Sequence, residues 1–292
     1  MIISDRYDRN IRLFGAEGQQ KLRETVVTLI GAGGLGSAIC QHLALLGVGK
    51  IFVIEDESLD NTNRNRFIGA RADDPIPGTH KLDVIKRLVR ETNPDVAFTG
   101  IPYCLFTIEA FSAIRESNWV IGCLDHDGPR AVLAEVCAAY AKPYIDAASD
   151  VPEAGVYGGR ICITNGDGCL FCLNQLDSAD IRRFLATDEE QRNEAAIYGV
   201  PIGALGESGP AVSPINGVVA SLAAMEFMVA VTGLRAPTRL LEYRGHTSKV
   251  LVGTDMPKPD CFYCKGTWGI GAEADVERYL RMPHLRQRRE NA

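Results

Sequence analysis

Residues Gly31-Ala-Gly-Gly-Leu-Gly36 follow the apolar run Val26–Ile30 and open the helical run Ser37–Leu46. A strand that runs into a glycine turn and then a helix leaves few folds open. The glycines serve a tight turn, close approach of phosphate to the backbone, and packing of helix on strand. Free N–H groups at the start of the helix attract an anion. Glu55 ends the next apolar run, Ile51–Ile54, the place from which an acid accepts ribose hydroxyls. A glycine turn alone would be only a turn. With strand, helix and acid in order, the segment predicts a nucleotide-binding βαβ unit, with Gly31, Gly33, Gly34, Gly36 and Glu55 at the ligand.

The same alternation continues. Residues 5–22 read as one helix with Tyr7, Ile11, Phe14 and Leu22 on one side. Three strand–helix units follow: Val26–Ile30 with the helix after Gly36, Ile51–Ile54 with Lys81–Arg90, and Trp119–Leu124 with Arg130–Ala141. Tyr144–Ala148 is a further strand. Such alternation predicts a Rossmann-like, mostly parallel sheet with ligands at the carboxyl ends of the strands. Beyond residue 150 the texture changes. Gly155–Ile163 reads as an antiparallel strand, residues 173–213 as a long crossover segment, Val218–Val231 as an apolar helix, and Arg239–Tyr243 and Ser248–Val252 as two more strands. The expected organisation is an N-terminal helix (1–24), a nucleotide-binding α/β core (25–150), an antiparallel extension with crossover and stapled end (151–265), and a C-terminal tail (266–292).

Composition narrows the function classes. Of 292 residues, 46% are hydrophobic and 23% charged, as in an ordinary soluble protein, and no apolar stretch reads as reaching the roughly 18–20 residues of a membrane span. A formal net charge of −6 gives no footprint for nucleic acid. Arg281, Arg286, Arg288 and Arg289 form the one basic cluster, read as a solvated chain end. Met1–Arg6 carries no secretory signal pattern, and nine cysteines, an odd number, suit a reducing compartment, so the expected location is cytoplasmic.

The cysteine spacing carries chemistry. Cys169-Leu-Phe-Cys172 and Cys261-Phe-Tyr-Cys264 are paired knuckles, each able to present two thiolates to one tetrahedral zinc. Two redox motifs or buried free thiols are the competing readings. A four-thiolate site has no open position for catalysis, so the zinc (Zn2+) would be structural.

The polar loop Glu55–Arg66 is richer in Asn and Arg than a dinucleotide site needs. Arg66 and Lys81 would bring positive charge to a triphosphate, and Asp125, after the strand Trp119–Leu124, would hold magnesium (Mg2+). Surface ion pairs for the two cations and a helix cap for Asp125 are the plainer alternatives.

From Arg6 to Cys264 the chain resembles the ThiF/MoeB/HesA family of ubiquitin-activating-type adenylyltransferases. The resemblance is carried by Arg6-Tyr-Asp-Arg-Asn-Ile11, Gly31–Gly36, Asn61-Thr-Asn-Arg-Asn-Arg66, Gly78-Thr-His-Lys81, Cys123-Leu-Asp125 and the two cysteine pairs, in order. It implies that Glu55 holds the ribose of ATP, Asn63 and Arg66 contact the phosphates, Lys81 stabilises the transferring phosphate and Asp125 coordinates magnesium. It also implies a homodimer in which Arg9 reaches the partner's triphosphate. The implied activity is adenylation of the C-terminal glycine of a ubiquitin-like or sulfur-carrier protein. Other classes are adenylation of a peptide or a modified tRNA base, a catalytically silent scaffold beside an active relative, and, from the glycine turn alone, an NAD-dependent dehydrogenase. Three positions depart from the family pattern. Glu55 stands where Asp is commoner, Arg64 interrupts the Asn-Arg segment, and Gly203–Gly209 in the crossover has no cysteine. Cys40, Cys104, Cys123, Cys137 and Cys162 fall in predicted helices or strands, where a thiol is buried and inert. The expectation is an acyl-adenylate with no thioester on this chain.

Overall fold

The computed structural model describes residues 5–190 and 210–285. Parallel strands buried on both faces need near-continuous apolar runs, and Val26–Ile30 (β1), Lys50–Ile54 (β2) and Trp119–Gly122 (β4) supply them. With Ala97–Ile101 (β3), Tyr144–Glu153 (β5), Val156–Thr164 (β6), Leu240–Arg244 (β7) and Lys249–Val252 (β8) they form an eight-stranded sheet in the order β3-β2-β1-β4-β5-β6-β7-β8. The pairings from β3 to β5 are parallel and those from β5 to β8 antiparallel. The Rossmann-like sheet with an antiparallel extension is therefore present, and it runs unbroken across both halves of the chain.

Helices Gly34–Leu46 (α2), Lys81–Thr92 (α3) and Ser213–Thr232 (α7) pack on one face, with Leu29, Ile39, Val53, Ile85 and Phe227 in that core. The other face packs against Ile108–Glu116 (α4) and Asp127–Ala139 (α5), with Ser178–Leu185 (α6) against α5, through Phe52, Phe111, Val120, Leu133 and Phe184. The cysteine-bearing end shares this second core.

The unit β3–α4 escaped the sequence reading. Ala-Phe-Thr-Gly-Ile is an edge strand with alternating exposure, so no apolar run marks it. The N-terminal helix Asp8–Glu24 (α1) is not continuous: Gly15, at φ 77°, breaks it, and Tyr7 and Leu22 are buried on separate arms. Helix α7 is, by length and composition, apolar enough to span a membrane, contrary to expectation. It is instead a core helix, and its one charged residue, buried Glu226, accepts from Arg235 Nη2 at 2.5 Å. The C-terminal tail is docked as far as described. Val276, Tyr279 and Leu285 are buried, and Glu135 on α5 accepts from the Tyr279 hydroxyl at 2.7 Å and from Arg278. Arg286, Arg288 and Arg289, and the cysteine-free Gly203–Gly209, lie outside the described residues.

Arg64 holds the loop between β2 and α3 together. Its guanidinium donates to Asn61 Oδ1, the Arg71 carbonyl and, at 2.7 Å, the Asp74 carbonyl. Asp74 in turn takes a bidentate grip from Arg87 on α3 and the Arg71 N–H. The departure at position 64 is thus a staple turned towards α3. Hydrogen bonds from Arg87 hold the Asp74 carboxyl down at about 2. A carboxyl depressed on folding contributes stability above its unfolded value, about 4, and loses it as pH falls through the folded value. The melting-temperature gap between the parent chain and Asp74→Asn is therefore largest above about pH 4 and closes towards about pH 2. A gap independent of pH would remove the ion pair from the account.

Candidate active site and metal centre

The carboxyl ends of β1, β2 and β4 meet at the glycine turn. Gly31 has φ 86° and lies against the Cys123 carbonyl, which a Cβ would approach to 2.7 Å. A Cβ on Gly36 would come within 2.1 Å of the Gly31 carbonyl oxygen, so both positions exclude a side chain. Gly33 faces open space. Glu55 is buried, and its carboxylate accepts from the Ala32 N–H at 2.7 Å and the Glu57 N–H at 3.0 Å. The acid thus clamps the turn to the end of β2.

The loop after β2 carries the cations. Asp60 and Asn63 form a reciprocal cap, Asn63 Oδ1 accepting from the Asp60 N–H at 3.0 Å and Asp60 from the Thr62 N–H at 2.7 Å. Phe67 is buried in the core and fixes the loop beside α2, where Ser37 Oγ accepts the Ile68 N–H at 3.0 Å. The stem of Arg66 consequently lies on Gly34, and its guanidinium donates to the Thr62 carbonyl at 2.6 Å. Lys81, the first residue of α3, is buried, with its ammonium on the carboxylate of half-exposed Glu57. The Thr62 N–H, with Lys81 adding to it, holds the Asp60 carboxyl below the usual range. Backbone bonds Lys81 N–H to Glu57 O and Leu59 N–H to Thr79 O tie the two loops together.

Asp125 follows β4 and is 58% exposed at its side chain, with His126 at 4.0 Å. It lines a cleft of about 580 Å³ together with Asp127, Arg130, Asp150, Arg160 and Arg244. Beside it lies Asp146, fully buried near the start of β5, accepting from Arg160 Nη1 at 2.6 Å and the Tyr144 hydroxyl at 2.9 Å, with Arg130 Nε at 3.7 Å. Burial alone would raise its pKa, but the two guanidiniums outweigh it and hold the carboxyl below the usual range. The sequence reading missed Glu57, Arg130, Asp146 and Arg160. A lone Asp inside the apolar run Tyr144–Ala148 was the available signal.

The structure brings Arg66 to the turn, pairs Lys81 with Glu57, and places Asp125 beyond the next strand end. Arg9, on the exposed side of α1, has no ion-pair partner among the described residues. Of the free cysteines, Cys40, Cys137 and Cys162 lie in α2, α5 and β6, while Cys104 and Cys123 lie just past strand ends, contrary to expectation. Burial pushes the Cys40 thiol up to about 12 and raises those of Cys123, Cys137 and Cys162, so these four are poor nucleophiles near neutral pH.

The thiols of Cys169, Cys172, Cys261 and Cys264 all lie within 4.8 Å of one another. Sulfur separations of 3.7 Å (Cys169–Cys172), 3.9 Å (Cys169–Cys261) and 3.4 Å (Cys172–Cys264) match the edge of about 3.8 Å that a tetrahedron with zinc–sulfur bonds of about 2.3 Å requires. Phe171 stacks on Tyr263 at 3.6 Å beside them.

A glycine turn at the strand ends, a sheet that changes from parallel to antiparallel, and a four-cysteine cluster at its far side define a Rossmann-like α/β protein with a metal-ready end. The sequence pattern of the ThiF family matches residues 7–262, and the chain belongs to that family. The molybdopterin-synthase adenylyltransferase of Escherichia coli (strain K12) is 27% identical over 266 residues, which are 89% of this chain and 95% of that protein. The adenylyltransferase and sulfurtransferase MOCS3-1 of Zea mays is 24% identical over 281 residues. This chain spans 54% of its length. The crystal structure of E. coli MccB with SeMet MccA superposes with a TM-score of 0.71 at 21% identity, covering 91% of this chain and 75% of that one, a likeness of fold.

Purified protein is expected to carry about one zinc per chain, since four thiolates complete one tetrahedral site. Cys261→Ser should then lower the melting temperature and open the segment after residue 253 to protease. A metal-free protein, with a variant that melts like the parent, would contradict the staple.

Proposed function

We propose that this chain is an ATP-dependent adenylyltransferase acting on a C-terminal carboxylate, the terminal glycine of a ubiquitin-like or sulfur-carrier protein. The observation that carries this reading is Arg66 lying on Gly34 of the glycine turn: a fixed cation stands beside the helix start that attracts phosphate. The name of the E. coli relative, which matches this chain over nearly its whole length, supports it.

In this reading the ribose hydroxyls donate to the Glu55 carboxylate, and Asn63 and Arg66 hold the phosphates. Lys81 leaves exposed Glu57 for the α-phosphate. Its charge then sits where negative charge moves in the transition state. The substrate carboxylate attacks the α-phosphorus in line, one phosphorus–oxygen bond forms, and the bond to the β-phosphate breaks to release pyrophosphate. Magnesium, held by Asp125, would supply charge neutralisation for that leaving group. The thiols pushed up by burial leave the acyl group as an adenylate on this chain. The zinc centre is structural, the location cytoplasmic, and the division at residues 24, 150 and 265 separates dimer helix, nucleotide core, stapled extension and tail.

The homodimer has its own support. Helix α7 is apolar around its circumference, yet Met225 is exposed, as are Leu13 on α1 and Leu45 on α2, the two helices that pack against it. Arg9 lies on the same α1 and would complete the partner's site, as an arginine finger does.

Lys81→Ala should reduce ATP–pyrophosphate exchange by about 10²-fold or more while the fold survives. Arg9→Ala should do the same as a homodimer. Mixed Arg9→Ala and Lys81→Ala dimers should recover activity, because one site then keeps both residues. A fully active Arg9→Ala homodimer, or verified mixed dimers that stay dead, would remove the trans role. Near-normal exchange by Lys81→Ala with the true substrate would refute the activity.

A further inference from the structure

Asn216 lies in the first turn of α7, a helix otherwise almost wholly apolar. It is 3% exposed, its Oδ1 is enclosed without a hydrogen-bond partner, and its Nδ2 has none among the described residues. A carboxamide whose oxygen is buried without a partner costs stability that a valine or leucine at that position would not. The side chain is aimed at one place. A Cβ on Gly34 would come within 2.5 Å of Asn216 Nδ2 and 2.8 Å of Arg66 Cγ, so the amide donor, the Arg66 stem and the first turn of the 13-residue helix α2 surround the same spot. Beside it, Gly33 opens on free space.

We infer that Asn216 is a nucleotide-binding residue whose Nδ2 donates to a phosphate oxygen held at the start of α2. The inference rests on the reading that the glycine turn takes an adenine nucleotide. The donor end must be the one facing the ligand, because the amide oxygen turned towards that helix start would repel a phosphate. Asn216 thus adds a third wall, from the second half of the chain, to a site otherwise built from β1, α2 and the loop after β2. Nothing in the sequence marked it, since one Asn in an apolar run has no motif of its own.

Calorimetric binding of the non-hydrolysable analogue AMPCPP and of adenosine, together with melting temperatures, tests the assignment on the full chain. Asn216→Leu should melt at or above the parent, bind AMPCPP roughly tenfold more weakly, and bind adenosine unchanged, because only the phosphate contact is lost. Asn216→Asp should bind AMPCPP more weakly still, its carboxylate facing the phosphates. If Asn216→Leu does not fold, Asn216→Ala removes the same donor without added bulk and carries the same expectation. AMPCPP bound as tightly by the Leu or Ala variant as by the parent would overturn the inference alone. Equal losses for AMPCPP and adenosine would assign Asn216 to packing and overturn it too. A parent chain that binds neither compound would overturn the nucleotide reading together with the inference.

Discussion

The site hangs on the carboxylate of Glu55. Its two oxygens take the N–H of Ala32, inside the glycine turn, and that of Glu57, in the loop after β2. One buried group therefore sets the spacing between two strand ends. The turn it clamps is already crowded: Gly31 is pressed on the Cys123 carbonyl and Gly36 on the Gly31 carbonyl. Backbone packed this closely has few ways to relax, and it presents the first turn of α2 in one orientation. Moving the Glu55 carboxylate would disturb the turn and the approach of the Glu57–Lys81 pair together. The extra methylene of Glu over Asp matters here because the same side chain spans both loops.

Charge is handled differently on the far side of the cleft. Asp146, Arg130, Arg160 and Tyr144 form a buried network whose carboxylate is fully paired, and Arg160 also donates to the Gln175 carbonyl at 2.7 Å. Such a network is weak as a source of net stability, because desolvation offsets most of the attraction. Breaking one member is costly, since a charge is then left buried without a partner. Its effect is positional. Arg130, in the first turn of α5, and Arg160, in the middle of β6, line the cleft together with Asp125 and Asp150, which are exposed.

Where the chain was legible, the signal came from chemistry with a fixed sequence cost. Glycines pressed on carbonyls, an acid at a strand end and cysteine pairs with two residues between them could be read because few residues can replace them. The parallel strands could be read because both faces are buried. Legibility failed where three-dimensional context decides. Strand β3 lies on an edge and alternates in exposure, so Ala97–Ile101 had no apolar run to betray it. Arg64 stood out only as a departure from the family pattern, and only the positions of Arg71 and Asp74 show what it holds. Gly15 lies within a helical pattern, and its positive φ is invisible until the two arms pack separately. Asp146 was passed over because a single charge does not break a strand when two arginines from other elements meet it.

The paired cysteines stand 92 residues apart, Cys169 to Cys261 and Cys172 to Cys264, and β7 and β8 lie between them. A cross-link over so long an interval chiefly limits the unfolded chain, for closing a loop of about 90 residues is entropically expensive. It also has a direction in time. During synthesis the first pair leaves the ribosome long before the second, and a half-site of two thiolates holds its ion weakly. Only a chain translated past residue 264 can close the knot, after β7 and β8 have emerged to complete the sheet. A metal held by all four thiolates would therefore be captured late, after the parallel strands have emerged.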